Sequence, residues 1–146
     1  MSQRLNALGR CPFCGAVRSP APPAADDECA RCASPLYPAE RHRYDYSGQR
    51  MLERMPREHR VAITVAWGSD AALAADMRDL SLNGMRLTAP SALETDQIVR
   101  IDSELCRAIA RVAYCRAAPE GGFSVGLEFL TLKFLRPTGT FVSTSA

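Results

Sequence analysis

Alternation of apolar and polar residues in the second half of the chain is the feature that most restricts its fold. The pattern is clearest in two runs, where Val61, Ile63, Val65 and Trp67 share one face and Phe123, Val125, Leu127 and Phe129 share another. A period of two predicts β-strands with one buried face. Further strands are predicted at Ala72–Asp79, Met85–Leu87, Ile98–Ile101 and Ala108–Cys115. Five or six strands at this spacing favour a mainly β fold, a small closed antiparallel barrel without free edges.

Composition divides the chain into four parts. Residues 1–36 carry two cysteine pairs, and residues 37–60 form a polar linker that contains six arginines. The barrel is predicted over residues 61–136, with a short helix that begins at Thr131 and is ended by the following proline. Residues 137–146 are mostly small and are expected to form a flexible tail.

The overall composition argues against several classes of protein. A chain of 146 residues with 47% hydrophobic residues can form a real core, and a net charge of +2 makes a nucleic-acid partner unexpected. No apolar run approaches the roughly 20 residues that a membrane span needs. Residues 1–10 lack the apolar stretch of a secretory signal. We therefore expect a cytoplasmic protein whose six cysteines are in a reducing environment.

Four cysteines form the strongest local motif. Cys11 and Cys14 make one C-x-x-C pair, Cys29 and Cys32 make a second, and fourteen residues separate the pairs. Each pair can place two thiolates on one tight turn, helped in the first by Gly15, and two such turns make a tetrahedral shell with Zn–S bonds of about 2.3 Å. The segment is too short for a core of its own. We therefore predict a zinc-ribbon-like module in which structural Zn²⁺ supplies folding energy.

Other chemistries for these cysteines stay open. The Cys11–Cys14 pair taken alone is typical of a dithiol redox motif, although the sequence lacks the βαβ pattern that surrounds such motifs. Two disulfides would need an oxidising compartment, and a different metal could use the same ligands. Cys106 and Cys115 fall in predicted strands and are expected to be buried apolar residues rather than ligands.

A polar turn and a group of arginines together predict a binding site. Asp79, Ser81 and Gly84 form an Asp-x-Ser-x-x-Gly turn about twenty residues after an arginine-rich segment, residues 54–60. Arginine offers a planar fork of donors to phosphates and base edges, Asp and Ser offer short-reach acceptors and donors, and glycine lets the backbone approach closely or take a positive φ. The combination suits an anionic ligand rich in hydrogen-bonding groups. The turn can also be purely local, with Asp and Ser bonding their own backbone.

The two motifs together resemble the PilZ family of bacterial cyclic di-GMP receptors, whose signature is R-x-x-x-R, then a strand, then [D/N]-x-S-x-x-G. The resemblance covers residues 50–136 and includes residues 126–129, which are similar to a Gly-x-x-Phe strand near the end of the family's domain. It implies a PilZ-like β-barrel. It also implies that Asp79 contacts guanine donors, Ser81 supports them, and Gly84 keeps the turn open.

The arginine half of the signature departs from the family pattern. Arg60 directly precedes the first strand, as the family's second arginine does, but Pro56 occupies the place of the first. The resemblance implies that Arg54, Arg57 and Arg60 bind the ligand and that residues 37–60 act as a ligand-switch segment.

Two function classes follow from these patterns. The first is a cytoplasmic cyclic di-GMP-binding receptor or adaptor that transmits second-messenger levels to an unknown downstream protein. The alternative is a PilZ-like protein that binds no nucleotide and acts as a zinc-stabilised protein–protein interaction adaptor. An enzyme is not expected, because the sequence shows no catalytic triad, carboxylate pair or open metal site, and both histidines lie in the arginine-rich linker.

Overall fold

Six strands form the body of the protein in the computed structural model, which describes residues 9–17, 22–24, 26–39, 59–68, 72–81 and 83–135. The strands are β1 (His59–Thr64), β2 (Ala72–Leu80), β3 (Gly84–Ala89), β4 (Ile98–Asp102), β5 (Cys106–Ala117) and β6 (Phe123–Phe134). Over the described ranges, a search for helices with the length and apolar character of a membrane span finds none.

The strands close into an antiparallel barrel in the order β1–β2–β3–β6–β5–β4. β1 completes the ring by pairing with β4, where Ile63 faces Ile101, and β3 pairs with β6, where Leu87 faces Val125. All four of these side chains have 0% exposure and form part of one continuous core. The predicted mainly β barrel is confirmed. It could be recognised because one face of each strand is buried in that core.

Most predicted strand ends lie within about two residues of the observed ones, but two predictions about individual elements are wrong. β1 ends at Thr64, so Trp67 lies beyond the strand in the next turn, where the guanidinium carbon of Arg31 is 5.7 Å from its ring centroid. The short helix predicted at Thr131 is instead the end of β6, which continues to Phe134 because the long strand β5 offers it backbone partners. Local sequence could not show that β5 extends far enough to pair with these residues.

The cysteine-containing segment, which comprises the described residues from 9 to 36, packs on the outer surface of the barrel. Its three buried cysteines cluster with Ile109 of β5. Tyr37 and Pro38 follow this segment in the chain. The carbonyl of Tyr37 accepts the backbone N–H of Leu132 of β6 at 3.0 Å, and Pro38 forms a β-bridge with Thr131. The segment is therefore joined to the barrel by apolar contact and by backbone pairing.

Candidate functional site

The four cysteines predicted to bind zinc lie together at one point, and their Sγ atoms are all within 4.8 Å of one another. The Sγ atoms of Cys11 and Cys32 are 3.7 Å apart, and those of Cys14 and Cys29 are 3.5 Å apart. Four sulfurs bound to a tetrahedral zinc at about 2.3 Å would lie about 3.8 Å from one another. The cluster therefore fits a metal site with four thiolate ligands.

Each cysteine pair lies on a tight turn of the same form. The residue after the second cysteine donates its N–H to the carbonyl of the first, Gly15 to Cys11 at 2.9 Å and Ala33 to Cys29 at 2.8 Å. Both residues have a positive φ, 78° for Gly15 and 63° for Ala33. This left-handed region is open to glycine and strained for alanine. The second turn therefore carries backbone strain that the sequence analysis did not anticipate.

The surroundings of the sulfurs separate their pKa values. Burial raises the pKa of Cys11 and that of Cys14 above the ordinary thiol value. Burial also acts to raise the pKa of Cys29, but the backbone amides of Cys32 and Arg31 outweigh it and lower this pKa to about 7. Turn amides that stabilise a thiolate favour metal capture, because a metal ligand must be deprotonated.

A buried serine supports the cysteine centre and was not singled out from the sequence. Ser34 has 0% exposure, and its Oγ lies 3.0 Å from the Sγ of Cys32. Its carbonyl accepts the N–H of Cys29 at 2.8 Å. The Cys32 thiol donates to this hydroxyl, so Ser34 fixes the orientation of the Cys32 sulfur.

Charged side chains also fasten the cysteine-containing segment to the barrel. The guanidinium of Arg100 in β4 donates to the carbonyl of Cys32. Glu28 accepts from Lys133 of β6 at 2.9 Å and from Arg107 of β5 at 3.3 Å. The cysteine centre is therefore held against three neighbouring strands of the barrel.

The two remaining cysteines are separate from this centre. Cys106 is completely buried in the barrel core, and burial raises its pKa to about 11. Cys115 is half-buried and packs against the same core. Their predicted role as small apolar residues fits both positions.

The predicted ligand turn connects β2 to β3. Ser81 closes the turn, since its Oγ accepts the backbone N–H groups of Asn83 at 3.2 Å and Gly84 at 3.3 Å. Gly84 does not have a positive φ. A Cβ at Gly84 would lie 2.0 Å from the carbonyl oxygen of Leu127 in β6. Glycine is therefore needed here for close approach of two backbones.

A β-bulge turns the side chain of Asp79 to the outside of the barrel. Ala75 and Met77 are buried, so strict alternation would direct Asp79 into the core. The register instead shifts between Met77 and Asp79, and Asp79 becomes the cross-strand partner of Arg86. The Asp79 side chain is 65% exposed, with its Oδ2 3.5 Å from a terminal nitrogen of Arg86. The bulge therefore presents a carboxylate beside the turn.

The turn forms one wall of a surface cleft of about 440 Å³. Lining residues that the sequence analysis did not assign to a site are Arg86, Arg111, Tyr114, Gly126 and Glu128. A Cβ at Gly126 would lie 2.2 Å from the ring of Tyr114, so this glycine makes room for the ring. These residues occupy strands that are distant in sequence. Their outward position in a predicted strand was the only sequence signal that they could line a surface site.

Arg111 is fixed at the cleft by two carboxylates. Its Nε and one terminal nitrogen lie 3.0 Å and 2.8 Å from the same oxygen of Glu128, and its other terminal nitrogen lies 2.5 Å from Asp96. The hydrogen bonds to Glu128, and then those to Asp96, raise the pKa of Arg111. Since these contacts hold the guanidinium between two carboxylates, Arg111 stabilises this side of the cleft.

Arg60 is the one predicted ligand arginine that falls within the described ranges. It lies in β1, with its Nε 3.0 Å from Asp76 of β2. The side chains of this pair are 76% and 50% exposed. Arg54, Arg57 and Pro56 lie outside the described residues.

Comparison with known protein families assigns the barrel to a family. The family model described as PilZ domain matches residues 49–134, which is more than half of the 146-residue chain. The matched segment includes the whole barrel and the turn between β2 and β3. A comparison with curated proteins finds no significant match.

Proposed function

Because the chain belongs to the PilZ domain family, we propose that it is a receptor for cyclic di-GMP that passes the level of this second messenger to a partner protein. PilZ domains are in general binding or adaptor domains rather than enzymes. The ligand is an anionic dinucleotide with two guanine bases. The cleft beside the turn offers such a ligand both a carboxylate acceptor and guanidinium donors.

The observation that carries this proposal is the outward carboxylate of Asp79 at the wall of the cleft. An ionised carboxylate accepts hydrogen bonds and does not donate them, so it matches the N1–H and N2–H₂ donors of guanine. Ser81 accepts two backbone N–H groups and thereby keeps the turn in one conformation. Gly84 brings the turn close to β6, which also lines the cleft.

The arginines of residues 54–60, a segment that ends inside β1, have a second role in the proposal. We assign the ligand phosphates to Arg54, Arg57 and Arg60, whose planar forks suit phosphate oxygens. The pair between Arg60 and Asp76 is exposed, and exposed pairs contribute little free energy, so Arg60 can exchange this partner for a ligand. Ligand binding would engage Arg54 and Arg57 at the barrel surface and so give a partner protein a different surface to contact.

We also infer that Cys11, Cys14, Cys29 and Cys32 hold one structural Zn²⁺. The separations of their sulfurs and the turn amides directed at Cys29 support this assignment. Four thiolates complete the coordination shell and leave no position for a catalytic water. The metal would therefore add stability to the fold rather than chemistry.

Calorimetric titration of the purified chain with cyclic di-GMP tests the proposed function. Cyclic di-AMP is the chemical control, because it has the same phosphates and ribose rings but lacks the N1–H and N2–H₂ donors. We expect saturable binding of cyclic di-GMP and much weaker binding of cyclic di-AMP. Absence of cyclic di-GMP binding by zinc-loaded protein would instead favour the interaction adaptor that binds no nucleotide.

A further inference from the structure

Arg86 lies beside Asp79 at the cleft and has no role assigned by the family signature. The two residues are direct cross-strand partners in β2 and β3, and their charged groups are 3.5 Å apart. Both side chains are more than half exposed, at 65% for Asp79 and 55% for Arg86. Both also line the cleft. An acceptor and a set of donors therefore stand side by side at the same wall.

This arrangement matches the order of groups along the edge of guanine. The N2–H₂ and N1–H donors are followed directly by the O6 acceptor and then by N7. A carboxylate that receives the two donors leaves O6 without a partner, and an unpaired polar atom in a site is costly. A guanidinium beside that carboxylate can donate to O6 and N7.

We propose that Arg86 is a specificity-determining residue that donates to the O6 side of the guanine whose N–H groups Asp79 accepts. The inference rests on the proposed function, because it assigns a second contact to the same base. Adenine carries an amino group in place of O6. Arg86 would therefore reject adenine at the same time as it binds guanine.

The neighbouring arginines show why Arg86 is the residue available for this contact. Arg111 is held by three hydrogen bonds to Glu128 and Asp96, which use three of its five N–H donors and fix its guanidinium against these carboxylates. In the described part of the chain, Arg86 forms a long, exposed ion pair with Asp79, the residue that would bind the same base. Because an exposed ion pair contributes little free energy, Arg86 can leave this pair and donate to a ligand at little cost.

Arg78 provides a matched control for substitutions of Arg86. It lies in the same hairpin, is exposed, and carries the same charge. Its Nε donates to the Oγ1 of Thr88 at 3.0 Å, and it is not part of the cleft lining. Loss of either arginine therefore changes the net charge equally, while loss of Arg86 alone removes donors from the cleft.

The test is calorimetric titration of cyclic di-GMP into wild type, Arg86→Ala, Arg86→Gln, Arg86→Lys and Arg78→Ala at one salt concentration. Thermal unfolding confirms that each variant is folded. We expect Arg86→Ala to bind about 10–100-fold more weakly, the usual range for a bidentate arginine–guanine contact. Arg86→Gln should recover most of the affinity, because its amide can donate to O6 without a charge. Arg78→Ala should stay within about threefold of wild type.

Two results would overturn the inference while leaving the receptor function in place. One is an Arg86→Ala variant that binds as tightly as wild type. The other is an Arg86→Gln variant that is no better than Arg86→Ala, and recovery by Arg86→Lys in that case would identify a charge contact to phosphate. Failure of wild type to bind would be a different result, because it would remove the proposed function itself.

Discussion

The carboxylate of Glu28 lies 2.9 Å from the Nζ of Lys133, and this contact joins the cysteine-containing segment to the last strand of the barrel. The same carboxylate also accepts from Arg107, and both members of the Glu28–Lys133 pair are less than one-third exposed. Because the pair is partly buried, its electrostatic attraction is screened less than that of an ordinary surface pair. Ile109 also packs among the buried cysteines, so the cysteine centre and the barrel are in direct contact.

Metal removal should therefore lower the stability of the barrel as well as that of the first segment. Chelation, or the substitution Cys14→Ser, would release about one zinc per chain. It would also weaken the packing of the cysteine-containing segment on Ile109. A ligand that binds the folded state stabilises it, so we expect the thermal midpoint of β-sheet unfolding to fall by at least about 5 °C. Circular dichroism and metal analysis measure both effects. Cys115→Ser is the matched control and should keep the zinc, and an unchanged midpoint after complete metal loss would contradict the coupling.

Substitutions after the second cysteine of each pair should act in opposite directions. Gly15 and Ala33 both have a positive φ, and apart from the adjacent residues no atom lies within 4 Å of a Cβ placed at Gly15. The effect of Gly15→Ala is therefore conformational, and we expect it to lower the free energy of unfolding by about 1–2 kcal/mol. Ala33→Gly removes the same strain but makes the unfolded chain more flexible, so we expect a gain of up to about 1 kcal/mol. Chemical denaturation of zinc-loaded protein measures both, and a loss of stability in Ala33→Gly would refute the account of strain.

Asp79→Ala should weaken cyclic di-GMP binding by about 1–3 kcal/mol, because guanine donors would lose their acceptor. Asp79→Asn should cost less, since its side-chain carbonyl still accepts. Glu120→Ala, which removes an exposed carboxylate that does not line the cleft, is the control. Titration at one salt concentration compares the four proteins. Equal affinity of wild type and Asp79→Ala would show that the turn has a purely structural role.

Arg60→Ala should cost about 2 kcal/mol of binding, as expected for a charge-assisted contact, and Arg43→Ala should have little effect. Asp76→Asn provides a further test of the same assignment. It removes the carboxylate that holds Arg60 in the absence of ligand, so binding should be unchanged or tighter. Titration calorimetry measures all three variants. Similar losses in Arg43→Ala and Arg60→Ala would indicate general electrostatic attraction instead of a specific contact.

Gly84→Ala should damage the fold and the turn together. The new Cβ would overlap a backbone oxygen of Leu127, which cannot move away as a flexible side chain can. We expect a loss of at least about 2 kcal/mol in the free energy of unfolding, in the range of other overpacking changes. Asn83→Ala at the neighbouring exposed position is the control. Denaturation curves that coincide for Gly84→Ala and wild type would show that the two backbones can separate without cost.

The barrel and the cysteine centre could both be predicted because their signals are local. In a strand with one buried face, apolar residues recur every two positions. Val61, Ile63 and Phe129 follow this pattern, which can be read without knowing their tertiary contacts. A C-x-x-C pair places two thiolates on one turn through backbone geometry alone, so Cys11 and Cys14 needed no knowledge of the rest of the fold.

The tertiary structure decided the features that depend on distant partners. The bulge that turns Asp79 outward arises from the pairing of β2 with β3, and a residue count along β2 would have placed this carboxylate in the core. The cleft exists because β3 pairs with β6, which brings Arg86 opposite Gly126 although their strands are not consecutive. Likewise, Ile109 has the sequence context of a barrel residue and is buried beneath the cysteines. The period of two in the sequence indicates which face of a strand is buried. Which segment packs against that face depends on contacts between residues far apart in the chain.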